Sequence, residues 1–367
     1  MKSRLLSNLD AAIAAASQPV QADCLRAQRA GLLARQGQLA DARTAISALQ
    51  GQYARQPHPA VSAWLSLAEG LLSYFSDLNR AARDKMSRAY ALSNAARDTR
   101  LRALASAWLA HMDYVDHDLD GMGRRLGEAF QLAEADHHAA QARVCLVVAQ
   151  AYHFGGRFDA AQPWYAKARQ HATAEGDEAM LSAVMHNMAG LLANQARQTL
   201  LCGEQDDAVT RRAMLGIEST GNFDALVGTG SLNALVPLLR AQVSSIQGLW
   251  ADAVALYEAH FSDGLLQGLD RMRAFLGADL AWCRLQLGHT EQALKDALAA
   301  EIAAAHDRDI DDRAAAHSRL AQVFAQLGLT EASARHASQA AIDWHTHERD
   351  QALAVAVMDK VLATLRA

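Results

Sequence analysis

Apolar residues recur along most of this chain at the three-to-four spacing of a helix, and short polar turns break the runs. Each break has one form: an apolar helical run, a short turn that usually holds glycine, then an alanine-rich helical run. The turns fall at Gly37, Asp77, His117, Gly156, Gly203, Gly248, Gly288 and Gly328, with separations of 40, 40, 39, 47, 45, 40 and 40 residues. A period that regular makes a helical hairpin the repeating unit. The pattern predicts eight hairpins, preceded by a helix at about 3–17 and followed by a capping helix at about 349–365. The charged run His347-Glu348-Arg349-Asp350 suits the solvent-facing entry to such a cap.

Three columns share this register. Seven residues before each turn stand Ala30, Gly70, Ala110, Ala149, Ala196, Ala241, Ala281 and Ala321, all small. Five after it stand Ala42, Ala82, Met122, Ala161, Ala208, Ala253, Ala293 and Ser333, and alanine recurs twelve after it at Ala89, Ala129, Ala168, Ala300 and Ala340. Nine after it the residue is large: Ile46, Met86, Leu126, Tyr165 and Tyr257. Two antiparallel helices joined by a short turn approach to roughly 8–10 Å, so their crossing points need small side chains and the space beyond needs large ones.

On these columns the chain resembles the tetratricopeptide repeat (TPR) family. The residues that carry the likeness best run from Ala149-Gln150-Ala151-Tyr152 through Gly155-Gly156-Arg157-Phe158 to Trp164-Tyr165 and Ala168, and it extends over roughly 20–360. A period near 40 is similar to the long-helix variant of bacterial regulator-type TPR proteins. The resemblance implies an all-α, right-handed α-α superhelix, a TPR-like solenoid of eight hairpins in one domain. The repeat spacing stretches only in the middle. Residues 178–202 read as one unusually long helix. The Gly/Ser/Thr-rich end of 216–231 reads as a long loop or bend between halves 1–215 and 232–367, or as a surface insertion.

Composition agrees with closely packed helices. Alanine makes up roughly a fifth of the chain, well above its usual share, against only 5 prolines and 6% aromatic residues. With 35 basic and 40 acidic residues, a net charge of -5 gives no electrostatic footprint for nucleic acid. Asn8 and Asp10 interrupt the apolar N-terminus, and no run has the length of a membrane helix. Cys24, Cys145, Cys202 and Cys283 lie far apart in apolar helical runs, and are expected to be reduced and buried. A cytoplasmic protein without membrane or nucleic-acid partners is the expectation.

In TPR architecture the first helix of each hairpin lines the concave groove. Residues two, three, six, ten and thirteen before the turn share one helical face. Read on those offsets, the candidate groove residues are Tyr74, His111, Tyr114, Gln150, His153, Arg197, Gln242 and Trp282, with Asn187 and Asn194 on or next to this face of the long helix. Trp64, Phe75, Phe154 and Phe275 fall on the same face, where packing between hairpins is the simpler role. Amides and rings together suit an extended peptide, whose backbone the amides bond and whose side chains the rings hold. The paired Lys/Arg and Asn of a carboxylate clamp are missing, because Leu235 and Leu239 stand where Asn194 would need them.

Other motifs carry little chemistry. Asp116-His117-Asp118-Leu119-Asp120-Gly121 opens like a calcium loop, yet Gly127 stands where the bidentate acid belongs. His137-His138 and His345/His347 are not spaced to share a helical face. No HExxH, GxSxG or P-loop is present, and no nucleophile stands beside a base. The reading is therefore non-enzymatic, without cofactor or metal: a regulatory or sensor protein, or a scaffold, that binds a protein or peptide in its groove. Homodimerisation is compatible with it. The alternative is a small-molecule- or metal-dependent enzyme with its site near His186, Asn187, Asn194 and Arg197 on the central helix.

Overall fold

The computed structural model describes residues 3–78, 81–204, 206–228, 230, 232–307 and 309–366, and among these every regular element is a helix. A lone N-terminal helix, α1 (Arg4–Ala15), precedes eight helix pairs. The pairs are α2 (Pro19–Arg35) with α3 (Leu39–Tyr53), α4 (Pro59–Asp77) with α5 (Ala81–Ala95), α6 (Thr99–Val115) with α7 (Leu119–Leu132), and α8 (His138–Phe154) with α9 (Phe158–Glu175). Next come α10 (Glu178–Leu201) with α11 (Asp207–Val227), α12 (Leu235–Ile246) with α13 (Trp250–Leu266), α14 (Arg273–Gln286) with α15 (Thr290–Ala304), and α16 (Ile310–Gln326) with α17 (Thr330–Arg366). A single 3₁₀ turn, Leu269–Met272, separates α13 from α14. This is an all-α, TPR-like helical-repeat fold. The chain divides into two compact units: unit 1 is Met1–Val184 with Phe223–Ser231 and Ala352–Ala367, and unit 2 is Met185–Asn222 with Leu232–Gln351.

The turn positions are where the repeat places them. Gly37, Gly156, Gly203, Gly248, Gly288 and Gly328 all have φ between 71° and 86°, and His117 reaches 58°. In the second hairpin the left-handed residue is Leu78 rather than Asp77. At Gly156 an added Cβ would meet no atom within 4 Å, so the positive φ alone asks for glycine.

The small columns are the packing seams. Ala30, Ala110, Ala149, Ala241 and Ala281 have no exposed surface, and neither do Ala42, Ala82, Ala161, Ala253 and Ala293 on the facing helices. The large residues nine after the turn, Ile46, Met86, Leu126, Tyr165 and Tyr257, are at most 4% exposed. Gly70 shows how tight the seam is: its missing Cβ would lie 2.8 Å from Met86 Cγ and 3.3 Å from the Ala82 carbonyl oxygen.

Several expectations need correction. The capping helix at 349–365 is not separate, because α17 runs unbroken from Thr330 to Arg366. The charged run His347–Asp350 contains no breaker, and neither glycine nor proline occurs between those ends. Most of the expected loop over 216–231 is helix as well. Asp206 caps α11 by accepting from the Ala208 and Val209 amides, the Thr220 hydroxyl bonds back to the Gly216 carbonyl, and Gly221 packs toward Val236. The helix ends only at Gly228, with φ 73°. In the fifth hairpin α11 starts four residues after Gly203 instead of two, so Ala208 is exposed and Ala213, Ile217 and Thr220 face inward. Cys202 is exposed at the end of α10, while Cys145 and Cys283 are buried. Among the described residues no helix is long and apolar enough to cross a membrane.

The seam gives a direct test. Gly70→Ala pushes a methyl into the fully buried Met86 and is expected to cost about 1–3 kcal/mol. Gly51→Ala, in exposed helix with nothing within 4 Å of the new Cβ, is expected to gain about 0.5–1 kcal/mol. Urea unfolding of the two variants checks the contrast.

Candidate functional site

Unit 1 encloses a cavity of about 350 Å³ walled mainly by first helices. α1 supplies Leu5 and Leu9, α2 Leu32 and Arg35, α4 Trp64, Leu67 and Leu71, α6 Leu104 and Trp108, and α8 Arg143. The junction of α9 with α10 adds Glu175, Asp177 and Met180.

Helix ends fix the polar part of this wall. Asp98 caps α6, its Oδ1 accepting the Leu101 amide at 2.8 Å. Its Oδ2 accepts the Trp64 indole N–H at 3.0 Å, which pins that ring against the cavity. Gly176 ends α9 in the left-handed conformation, and Asp177 then caps α10 through the Met180 amide at 2.9 Å. Arg35, the last residue of α2, grips both Asp177 oxygens at 2.7 and 3.0 Å. Asp177 is thereby fully engaged.

Arg143 differs from every other arginine in the wall. It is 4% exposed, its guanidinium lies 3.7 Å over the Trp108 ring, and it has no hydrogen bond or ion pair among the described residues. Burial first, then the charge of Arg35, lowers its pKa to about 9, so it stays charged at neutral pH. His137, just before α8, is also buried. Desolvation and then the Arg100 charge hold its pKa down at about 4, so it is neutral there.

Unit 2 contains two comparable arginines, each with an acid. Arg197 donates to Asp312 at 2.8 Å and lies 4.0 Å over the Phe275 ring. Arg319 donates to Asp279 at 2.7 Å and lies 5.2 Å over the Trp282 ring. Burial and the adjacent Asp311 hold the Asp312 carboxyl above its ordinary range. Among the described residues no group of three His, Cys, Asp or Glu side chains is placed to hold a metal ion.

The ten candidate groove residues divide evenly between the units. In unit 1, Tyr74 is half-buried and its hydroxyl lies 2.9 Å from His111 Nε2, and both rings meet Trp108 edge-on. Tyr114 is half-buried against Phe154. Gln150 and His153 are buried in α8, with His153 Nδ1 3.0 Å from the Tyr165 hydroxyl. In unit 2, Asn187 and Asn194 are half-buried on α10, Arg197 is in its ion pair, Gln242 donates to the Ala193 carbonyl at 3.2 Å, and Trp282 is half-buried beside Trp250. Within unit 1 the structure brings Tyr74 and His111 together beside Trp108. Every residue of α8 from Ala142 to His153 is buried, so Gln150 and His153 present no open surface there. The chain's own C-terminal stretch covers part of α8 and of α7. The Tyr152 hydroxyl donates to Asp359 at 2.7 Å, and Val357 packs on Gly123.

The candidate list omits Arg143, although the signal for it is in the sequence. Arg143 stands thirteen residues before Gly156, the same column that Trp64 occupies before Asp77. A basic residue in that column, next to a tryptophan one hairpin earlier, identifies the cavity wall.

No family model and no curated protein matches this chain. Among solved structures it is similar to a Rap protein complexed with competence and sporulation factor, with a TM-score of 0.55 at 11% identity over 94% of this chain and 92% of that one. A likeness at that identity carries the fold.

The buried histidine gives the site a pH signature. Between pH 6.5 and about 4 the unfolded chain binds a proton at His137 that the folded chain does not, so this group costs no stability above pH 6.5 and destabilises as pH falls toward 4. His137→Gln is expected to flatten the loss between pH 7 and 5 by up to a few kcal/mol, read as the difference between parallel urea titrations of the two proteins.

Proposed function

We propose that this chain is a non-enzymatic interaction module, a cytoplasmic regulatory or sensor protein, or a scaffold, that holds a peptide or partner segment against its first helices. The observation that carries this reading is the unit 1 cavity. Its wall combines two tryptophans and several leucines with a buried arginine that has no acid of its own. Ligand sites are concave, mostly apolar and furnished with a few fixed polar groups, and at about 350 Å³ this one is at the lower end of the usual ~300–1,000 Å³. It accepts part of a peptide rather than all of it, so the remainder would lie along neighbouring helix surface. The similarity in fold to a Rap protein that holds competence and sporulation factor supports a ligand-binding role for such a stack.

Panning the full chain against a displayed library of dodecapeptides tests the reading. The expected result is a consensus sequence whose synthetic peptide binds the wild type and loses at least tenfold affinity, about 1.4 kcal/mol, on Trp64→Ala. Enrichment no better than on a helical protein without such a cavity would reject the interaction-module reading.

A further inference from the structure

The geometry points to a specific ligand chemistry for the unit 1 cavity: a single carboxylate on a compact apolar body, with the carboxylate on Arg143 and the body among Trp64, Leu67, Leu71 and Met180. This deepens the interaction-module reading, on which it rests for the choice of face.

A buried guanidinium requires compensation for the water it loses. Removing a charge from water costs several kcal/mol even after relaxation, and proteins ordinarily meet that cost with an opposite charge. Arg197 and Arg319 follow the rule, with Asp312 and Asp279 at 2.8 and 2.7 Å. Arg143 is as deeply buried as Arg319, at 4% against 3%, yet no acid bonds it: it lies over the Trp108 ring and feels Tyr74 and Asp177 only at a distance. A cation over a desolvated tryptophan recovers about 2 kcal/mol, which does not offset burial alone.

No acid within the wall bonds Arg143, and the one whose charge reaches it, Asp177, is shared with Arg35. Both oxygens of Asp177 accept from Arg35, and Asp98 is occupied by the Leu101 amide and the Trp64 indole. Glu175 interacts with Arg35, Arg100 and His138, and burial beside Asp177 raises its affinity for a proton. Arg143 therefore lines the cavity without a bonded counter-charge, and the Arg35–Asp177 pair beside it offers both signs.

The stacking also presents the donors. The guanidinium carbon lies 3.7 Å over the ring, close enough to stack, and a stacked guanidinium keeps its in-plane N–H groups for a carboxylate's two oxygens. The cavity volume limits the rest of the ligand to one small apolar group. Two sources share this chemistry: a free monocarboxylic acid, and the C-terminal residue of a peptide.

The test titrates the full-length chain with octanoate and octanamide, following tryptophan fluorescence, and repeats the pair with acetyl-Leu-Ala-Leu as free acid and as C-terminal amide. The expected result is at least tenfold tighter binding of one acid over its amide. The preference should be lost in Arg143→Met, which keeps the apolar stem, with helical circular dichroism unchanged. Octanoate preferred alone identifies a free acid, and the tripeptide acid preferred alone identifies a peptide terminus; either supports the inference. Equal binding of acid and amide in both pairs, or no binding by any of the four probes, overturns it. Because the wild-type comparison stands without the variant, misfolding of Arg143→Met leaves the test intact. A peptide consensus from panning that binds equally well as acid and amide, with no acid preference in these titrations, would reject the carboxylate pocket and leave the interaction module standing.

Discussion

The close approach of paired helices sets the terms for everything else in this molecule. Where α4 meets α5 there is no room for one methyl group at Gly70, and where other pairs cross, alanines with no exposed surface face each other. That spacing allows short turns, and short turns require the left-handed residue that ends each first helix. It also forces the bulk of the core into one position per repeat, held by residues such as Met86, Leu126 and Tyr257.

Packing this dense leaves polar side chains on the first helices little access to water. Each one must then find a partner within the core, because a buried polar group without one costs about 1–3 kcal/mol and a charge more. Most do. Gln242 reaches a backbone carbonyl, His153 a tyrosine hydroxyl, and Arg197 and Arg319 their aspartates. Among the buried arginines Arg143 is the one without a bonded acid, and it lines a cavity. A deficit of that kind is an expected mark of a ligand site, where the partner arrives from outside.

The scaffold was legible in the sequence because its two requirements are carried by residue type. A left-handed turn asks for glycine, and a close crossing asks for alanine, so both recur as columns. What the sequence did not convey follows from effects that leave no such column. The Gly/Ser/Thr cluster after Gly216 reads as loop, yet it is helical because Ala213, Ile217 and Thr220 bury one face of α11 and Gly221 packs close to Val236. The run at 347–350 reads as a boundary by its charge, but charge alone does not end a helix. The candidate site was legible only in part. Face periodicity found Tyr74 and His111, which pack on the Trp108 ring of the cavity wall, but it cannot tell a polar group that is satisfied internally from one that is not. That distinction depends on which acid lies across the seam, and for Arg143 it emerges only in three dimensions.

The claim that Arg143 carries a charge awaiting its partner, while the other buried arginines are already paired, is tested most directly by comparing Arg143→Met with Arg319→Met in urea unfolding of the ligand-free protein. The account predicts opposite outcomes. Arg143→Met removes an uncompensated charge and leaves stability unchanged or raised, whereas Arg319→Met strands Asp279 and lowers stability by about 3–5 kcal/mol. Equal, large losses in both variants would show that Arg143 is an ordinary structural residue and would contradict the account.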